Sequence, residues 1–202
     1  MIDRFREFIR QKDLCRDTDR ILLAVSGGVD SVVMHDLFLK HGYKTGLAHC
    51  NFGLRGDESD GDEDFVKKLA MERDVDCYIE HFETEKTASD KRISVQMAAR
   101  ELRYEWFEKI RSEEGYDYIA TGHNFNDSVE TMVFNLIKGT GLKGLTGIPA
   151  KTGTVIRPLL FASREDIEAY ASENNIDFRN DSSNVSVKYH RNYIRHEIIH
   201  EF

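Results

Sequence analysis

Ile21-Leu22-Leu23-Ala24-Val25-Ser26-Gly27-Gly28-Val29-Asp30-Ser31-Val32-Val33-Met34 decides the fold of this chain. An apolar run of strand length enters a serine-flanked glycine pair and leaves into Val32 to Leu39, where apolar residues recur at helical spacing. The stretch predicts a strand, a tight turn and a helix start. Paired glycines allow backbone conformations closed to other residues and let the chain approach a ligand closely. The free N–H groups and positive dipole end of the helix then form a site suited to phosphate. The commonest phosphate loop carries Lys before its last Ser or Thr, whereas here that place is held by Asp30. A carboxylate aimed at phosphates needs a cation between them, unless it orients the loop itself. The loop therefore suits a pyrophosphate accompanied by a metal ion.

The chain has 202 residues, about one ordinary domain, with 40% hydrophobic and 32% charged residues and a formal net charge of −8. That balance describes a soluble globular protein. No apolar run approaches the roughly 20 residues of a membrane helix. The opening Met1 to Phe8 mixes acids and bases, unlike a secretory signal, so a cytoplasmic location is expected. Cys15, Cys50 and Cys77 are scattered and lack any Cys-x-x-Cys spacing, which argues against a disulfide framework, a zinc site or an iron–sulfur cluster. The acidity counts against a nucleic-acid partner unless basic surface is local or supplied by further sequence.

Further strands are predicted at Thr45 to Cys50, Asp76 to Phe82, Tyr116 to Thr121 and Val155 to Leu160, with helices at 2–14, 62–73, 94–111, 127–138 and 163–174. Val129, Met132, Val133, Leu136 and Ile137 give the clearest helical periodicity, and Ser163 with Asp166 forms a cap pair. Alternating strands and helices call for a doubly wound, Rossmann-like α/β fold, a parallel sheet of five strands covered by helices on both faces. Ligands bind such sheets beyond the carboxyl ends of the strands, where strand order reverses. The glycine loop and the segments after Cys50 and Thr121 should meet in one cleft. No domain boundary is visible, so residues 1–202 read as one domain.

Several segments carry chemistry. In Asn51 to Asp60, Arg55 lies between glycines and can reach a phosphate, while the surrounding acids suit equally a solvated loop with Asp60 or Asp62 capping the next helix. After Thr121, the residues Gly122-His123 leave a strand end, and Asp127, Glu130 and Thr131 share the helix face opposite the apolar stripe. Asp127 and Glu130 also suit helix capping, and one carboxylate can cap a helix and still face a substrate. Arg100 and Arg103 share a helical face, suited to phosphates or to ion pairs with Glu101 and Glu105. The glycine-rich stretch 139–149 reads as a mobile loop or a plain connector. Lys188, Arg191 and Arg195 make one basic face, fit for RNA contact or for solvent.

Ser26-Gly27-Gly28-Val29-Asp30-Ser31 resembles the signature of the PP-loop ATP pyrophosphatases, an adenine nucleotide alpha hydrolase-like fold. With Leu54-Arg55-Gly56, Ala99-Arg100, Arg103-Tyr104, Gly122-His123, Asp127, Glu130-Thr131, Arg157-Pro158-Leu159-Leu160, Asp181-Ser182-Ser183-Asn184 and Arg191-Asn192, the chain is similar throughout to the N-terminal catalytic domain of the tRNA(Ile)-lysidine synthase family. The resemblance implies ATP and Mg²⁺, with Ser26 to Ser31, Arg55 and Arg100 on the nucleotide and Asp30 on the metal. It implies a two-step modification of the wobble cytidine in a CAU-anticodon isoleucine tRNA, with free L-lysine as second substrate. Asp127 then serves as base, Glu130 helps hold the lysine amine, His123 orients near the phosphates, and Arg103 stands with them as a catalytic candidate. Lys188, Arg191 and Arg195 are the tRNA candidates.

The family commonly has two histidines and two aspartates where this chain reads His123-Asn124-Phe125-Asn126-Asp127. Asn126 can accept a hydrogen bond but cannot neutralise a cation or take a proton. Family members usually carry further C-terminal RNA-binding domains, absent from this sequence. A tRNA thiolase of the same superfamily is the nearest rival, yet such enzymes generally need paired cysteines. A non-catalytic ATP-binding module is the other alternative, and the sequence leaves a homodimer open.

Overall fold

The structure is a computed structural model that describes residues 1–140 and 145–179. The basic face at Lys188, Arg191 and Arg195, the segments around Asp181 and Arg191-Asn192, and residues 141–144 of the glycine-rich loop lie outside the described residues.

Helix α1 (Ile2–Gln11) is followed by β1 (Arg20–Ala24), α2 (Val29–Lys40), β2 (Lys44–Asn51), α3 (Asp57–Arg73), β3 (Asp76–His81), α4 (Thr84–Lys91), α5 (Val95–Glu113), β4 (Tyr118–Thr121), α6 (Phe125–Ile137), β5 (Lys151–Thr152), β6 (Val155–Ile156) and α7 (Arg164–Glu173). The strands form one sheet in the order β3-β2-β1-β4-β6-β5. All neighbours are parallel except β5 and β6. The expected parallel α/β sheet is therefore present, but with six strands rather than five. The extra strand is a two-residue hairpin partner, too short to carry a periodic signal. The strand expected at 155–160 stops at Ile156 because Pro158 has no N–H to give a ladder.

One face of the sheet buries Val33, Met34, Leu37 and Phe38 of α2 with Phe5, Ile9, Val66, Ile167 and Tyr170. The other buries Trp106 and Phe107 of α5 against Leu22, Ala48 and Ile119. Helix α2 is buried almost all round, including the polar His35 and Asp36. Asp36 is satisfied by Tyr170 Oη, which donates at 2.8 Å, and by the Lys40 ammonium at 2.9 Å. Helix α4 escapes an apolar pattern because only Thr84 and Ala88, one turn apart, face inward.

Two helices differ from expectation in a way that shapes the cleft. Helix α3 starts at Asp57, so Asp57, Glu58 and Asp60 lie in its first turn, where they complement its dipole, and neither Asp60 nor Asp62 is its cap. Helix α6 buries only Glu130, while Phe125, Leu136 and Ile137 stand 52%, 63% and 66% exposed. Beyond β4 the sheet continues, among the described residues, as two-residue strands, which offer too little apolar surface to cover a whole helix stripe. The helix turns its polar side to the site instead.

Candidate active site

Strand order reverses at β1, which lies between β2 and β4. There the chain leaves β1 through Ser26 to Gly28. Gly27 has φ of +91°, a left-handed conformation that favours glycine. The serines shape this loop: Ser26 N–H donates to Ser31 Oγ at 3.2 Å, Gly28 N–H to Ser26 Oγ at 3.3 Å, and Ser31 Oγ–H to Gly28 O at 2.8 Å. Among the described residues, no hydrogen bond occupies the N–H of Gly27 or Val29, while the Asp30 N–H also reaches its own carboxylate. These donors and the start of α2 form an anion nest.

The nest opens into a cleft of about 460 Å³. Ser26, Gly28, Asp30 and Ser31 line one end, and His123 and Asp127 stand beside them. Ala24, Val25, Ala48, Cys50 and Phe107 make an apolar wall, with Phe52, Arg103 and Tyr104 at its outer side. An apolar slot ending in a phosphate nest has the form of a nucleotide site. Burial pushes the Cys50 thiol up to about 12. It is the one cysteine on the cleft wall and carries no thiolate character.

The β4 end is pressed against the loop. A Cβ on Gly122 would lie 3.2 Å from Ser31 N and 3.3 Å from Asp30 C. His123 Nδ1 is 2.9 Å from Thr121 Oγ1, which fixes the ring beside the cleft. Asn124 caps α6 reciprocally with Asp127: Asp127 N–H donates to Asn124 Oδ1 at 3.1 Å and Asn124 N–H to Asp127 Oδ2 at 3.0 Å. Asp127 thus caps and faces the cleft at once.

Asp30 is held from two sides. Asn124 Nδ2 donates to Oδ1 at 2.9 Å and Arg164 donates through one guanidinium nitrogen to Oδ2 at 2.7 Å. Burial raises its pKa, against the lowering pull of Arg164 and Asn124, and the Asp127 charge raises it further. Asn126 Oδ1 accepts the Arg164 N–H at 2.9 Å. Both asparagines therefore have places: one ties the loop to α6, the other accepts the first N–H of α7, whose cap is Ser163.

The remaining candidates lie around the rim. Arg103 sits over the Phe52 ring at 5.2 Å, and exposed Arg100 over Tyr104 at 4.9 Å. Among the described residues, neither pairs with Glu101 or Glu105. Arg55 reaches Asp62 at 2.6 Å and Glu58 at 3.8 Å and does not line the cleft; nor do Gly27, Val29, Arg100 and buried Glu130. Asp62 also takes Arg179 Nε at 3.0 Å, and Arg179 N–H bonds Gly27 O at 2.9 Å. Sequence reading missed Arg164 and Arg179, took Asp62 as a helix cap and Asn124 as a departure from the family pattern, and gave none of the four its contact here.

A family model described as a PP-loop domain matches residues 1–202. The chain belongs to the PP-loop domain family. This PP-loop chain is 46% identical over 201 residues to the tRNA(Ile)-lysidine synthase of Porphyromonas gingivalis, covering 98% of this chain and 44% of that protein. It is 48% identical over 188 residues to that of Bacteroides thetaiotaomicron (93% and 44%) and 41% over 200 residues to that of Chlorobaculum tepidum (97% and 60%). The PP-loop chain thus spans about half the length of these curated relatives. Among solved structures, the U34-tRNA thiolase NcsA from Methanococcus maripaludis is similar at a TM-score of 0.69 with 20% identity, over 88% of this chain and 65% of that one. The NH3-dependent NAD synthetase from Campylobacter jejuni follows at 0.57 and 13%, over 86% and 71%. At these identities the likeness is one of fold alone.

Proposed function

We propose that the chain is the catalytic portion of a tRNA(Ile)-lysidine synthase, which uses ATP to join free L-lysine to the wobble cytidine of a CAU-anticodon isoleucine tRNA. The observation that carries the reading is the meeting, in one cleft, of the anion nest at Ser26 to Ser31 with Asp127, His123 and Arg103. Similarity along nearly the whole chain to curated enzymes of that name supports it. The single, fully protonated Cys50 at the cleft gives no support to sulfur delivery.

Adenine lies in the apolar slot and the β- and γ-phosphates in the nest. The cytosine O2 attacks the α-phosphorus; the O2–P bond forms, the bridging P–O bond breaks, and pyrophosphate leaves toward the N–H groups of the loop. The lysine amine then adds at C2, the C2–O bond breaks and AMP departs. That amine must be neutral although its ordinary pKa is about 10.4. Asp127, on the cleft wall, takes the proton. Glu130 is buried off the cleft wall, so the amine is held at Asp127 rather than at Glu130, and His123 orients the phosphates.

Asp30 and Asp127 lie close enough for one charge to raise the other's pKa. Two carboxylates beside a phosphate nest fit Mg²⁺, which binds through one or two carboxylates plus phosphate oxygens. Among the described residues there is no cluster of three or more ligating side chains, as a permanent metal site would need. When bound with nucleotide, Mg²⁺ supplies charge neutralisation on the pyrophosphate. No helix among the described residues is long and apolar enough to cross a membrane; a tRNA substrate places the reaction in the cytoplasm. The test is mass spectrometry of a CAU-anticodon isoleucine tRNA after incubation with ATP and lysine. Lysine added to the wobble cytidine, with pyrophosphate release dependent on both substrates, is expected; lysine-independent release overturns the reading.

A further inference from the structure

Arg164 stands where helix physics disfavours a cation. It is the first residue of α7, at the positive end of the helix dipole, beside Glu165 and Asp166, whose charges suit that end. Three contacts hold it there. Asn126 Oδ1 accepts its N–H at 2.9 Å, Glu168 Oε1 takes its Nε at 2.6 Å, and Asp30 Oδ2 takes its terminal nitrogen at 2.7 Å. Asp30 in turn is mostly buried and belongs to the phosphate loop, where an unpaired carboxylate would repel any incoming anion. Its other oxygen is engaged by Asn124. The guanidinium thus bridges two carboxylates at once, Asp30 at the loop and Glu168 one turn along α7, and it occupies an Asp30 oxygen that a metal–nucleotide complex would use.

We propose that Arg164 is the resident counter-ion of Asp30, released from it and kept by Glu168 alone when a divalent cation arrives with nucleotide. The exchange keeps the loop charge-balanced in both states and makes Arg164 a positioning residue for Asp30, competing with the metal. The idea rests on the reading of the cleft as a metal–ATP site. It has opposite signs for two substitutions. Removing the guanidinium in Arg164→Met abolishes the competitor, so the divalent ion binds more tightly. Removing the alternative partner charge in Glu168→Gln confines Arg164 to Asp30, so the ion binds more weakly.

The experiment is titration of Mn²⁺, as the probe for Mg²⁺, by electron paramagnetic resonance with the full chain and an ATP analogue carrying a methylene between the α- and β-phosphates. Arg164→Met should tighten Mn²⁺ binding by about fivefold and Glu168→Gln should weaken it about threefold, the scale expected for one partly exposed ion pair. Glu168 is exposed on the helix surface, so its substitution leaves the fold intact even if Arg164→Met does not. Asp30→Asn should abolish the tight site. Failure of the unsubstituted protein to bind Mn²⁺ with the analogue overturns the metal–ATP reading. Normal binding there, with unchanged or weakened binding in Arg164→Met or unchanged binding in Glu168→Gln, overturns the exchange alone.

Discussion

Asp62 holds Arg179 through a 3.0 Å contact between Oδ1 and Nε, and so joins the stretch after α7 to α3, beside the Arg179 N–H that bonds Gly27 O of the phosphate loop. The same carboxylate takes Arg55 at 2.6 Å, so one buried acid fastens two chain segments that are far apart in sequence. Asp62→Ala leaves both arginines short of a partner and frees the strap whose Arg179 N–H bonds Gly27 O. Chemical denaturation should show a loss of about 1–2 kcal/mol. Calorimetry should show weakened ATP binding as the loop loses its brace.

Gly122→Ala tests the contact between β4 and the loop. The added Cβ meets backbone atoms of Ser31 and Asp30, which cannot turn aside as a side chain can. Overpacking of this kind costs about 1–3 kcal/mol, and here it pushes directly on the anion nest, so ATP affinity should fall by about tenfold or more. Gly153→Ala is the control: nothing lies within 4 Å of its new Cβ, but φ is +57°. It should cost about 1 kcal/mol of stability with ATP affinity unchanged.

The cap that Asp127 makes and the base role proposed for it are separable by substitution. Asp127→Asn keeps a side-chain oxygen to accept the Asn124 N–H, so unfolding should shift by less than about 0.5 kcal/mol. Lysine-dependent AMP release should nevertheless slow by about a hundredfold, because an amide takes no proton. Asp127→Ala should show the same loss of turnover and about 1 kcal/mol of destabilisation besides.

His35 makes the fold acid-sensitive. Burial, helped by the Arg73 charge, lowers its pKa from 6.5 to about 4, and its Nε2 has no hydrogen-bond partner among the described residues. The unfolded chain takes up a proton at the ordinary value while the folded protein resists until about 4. Acid therefore favours unfolding across that window, and the contribution is fully present only above about 6.5. Stability should drop by about 2 kcal/mol between pH 7 and pH 5 from this residue. Urea titrations at the two pH values should show the drop, and His35→Met should flatten it.

The loop, its helix and the parallel sheet were legible because each rests on local sequence: an apolar run, a glycine pair, a period. Periodicity likewise located α6 but not which side it buries, since that depends on how much sheet lies beneath it, and β5 and β6 are two residues long. Helix α4 was invisible because its inward residues are only Thr84 and Ala88. The partner of Asp30 was unreadable for a different reason. Arg164 lies 134 residues away, and no local pattern announces a contact made by packing α7 beside the loop.

The pairing of β1 with β4 sets Ile21 opposite Tyr118 and Ala24 opposite Thr121. One bank of the cleft is thereby made by the first half of the chain and the other by the second. Residues of both halves line the cleft, and closing a loop of nearly a hundred residues to zip that ladder is an entropically slow event. The protein should acquire its binding competence late in refolding, at the moment this ladder closes, and two fragments divided between α5 and β4 should recover it only on being mixed.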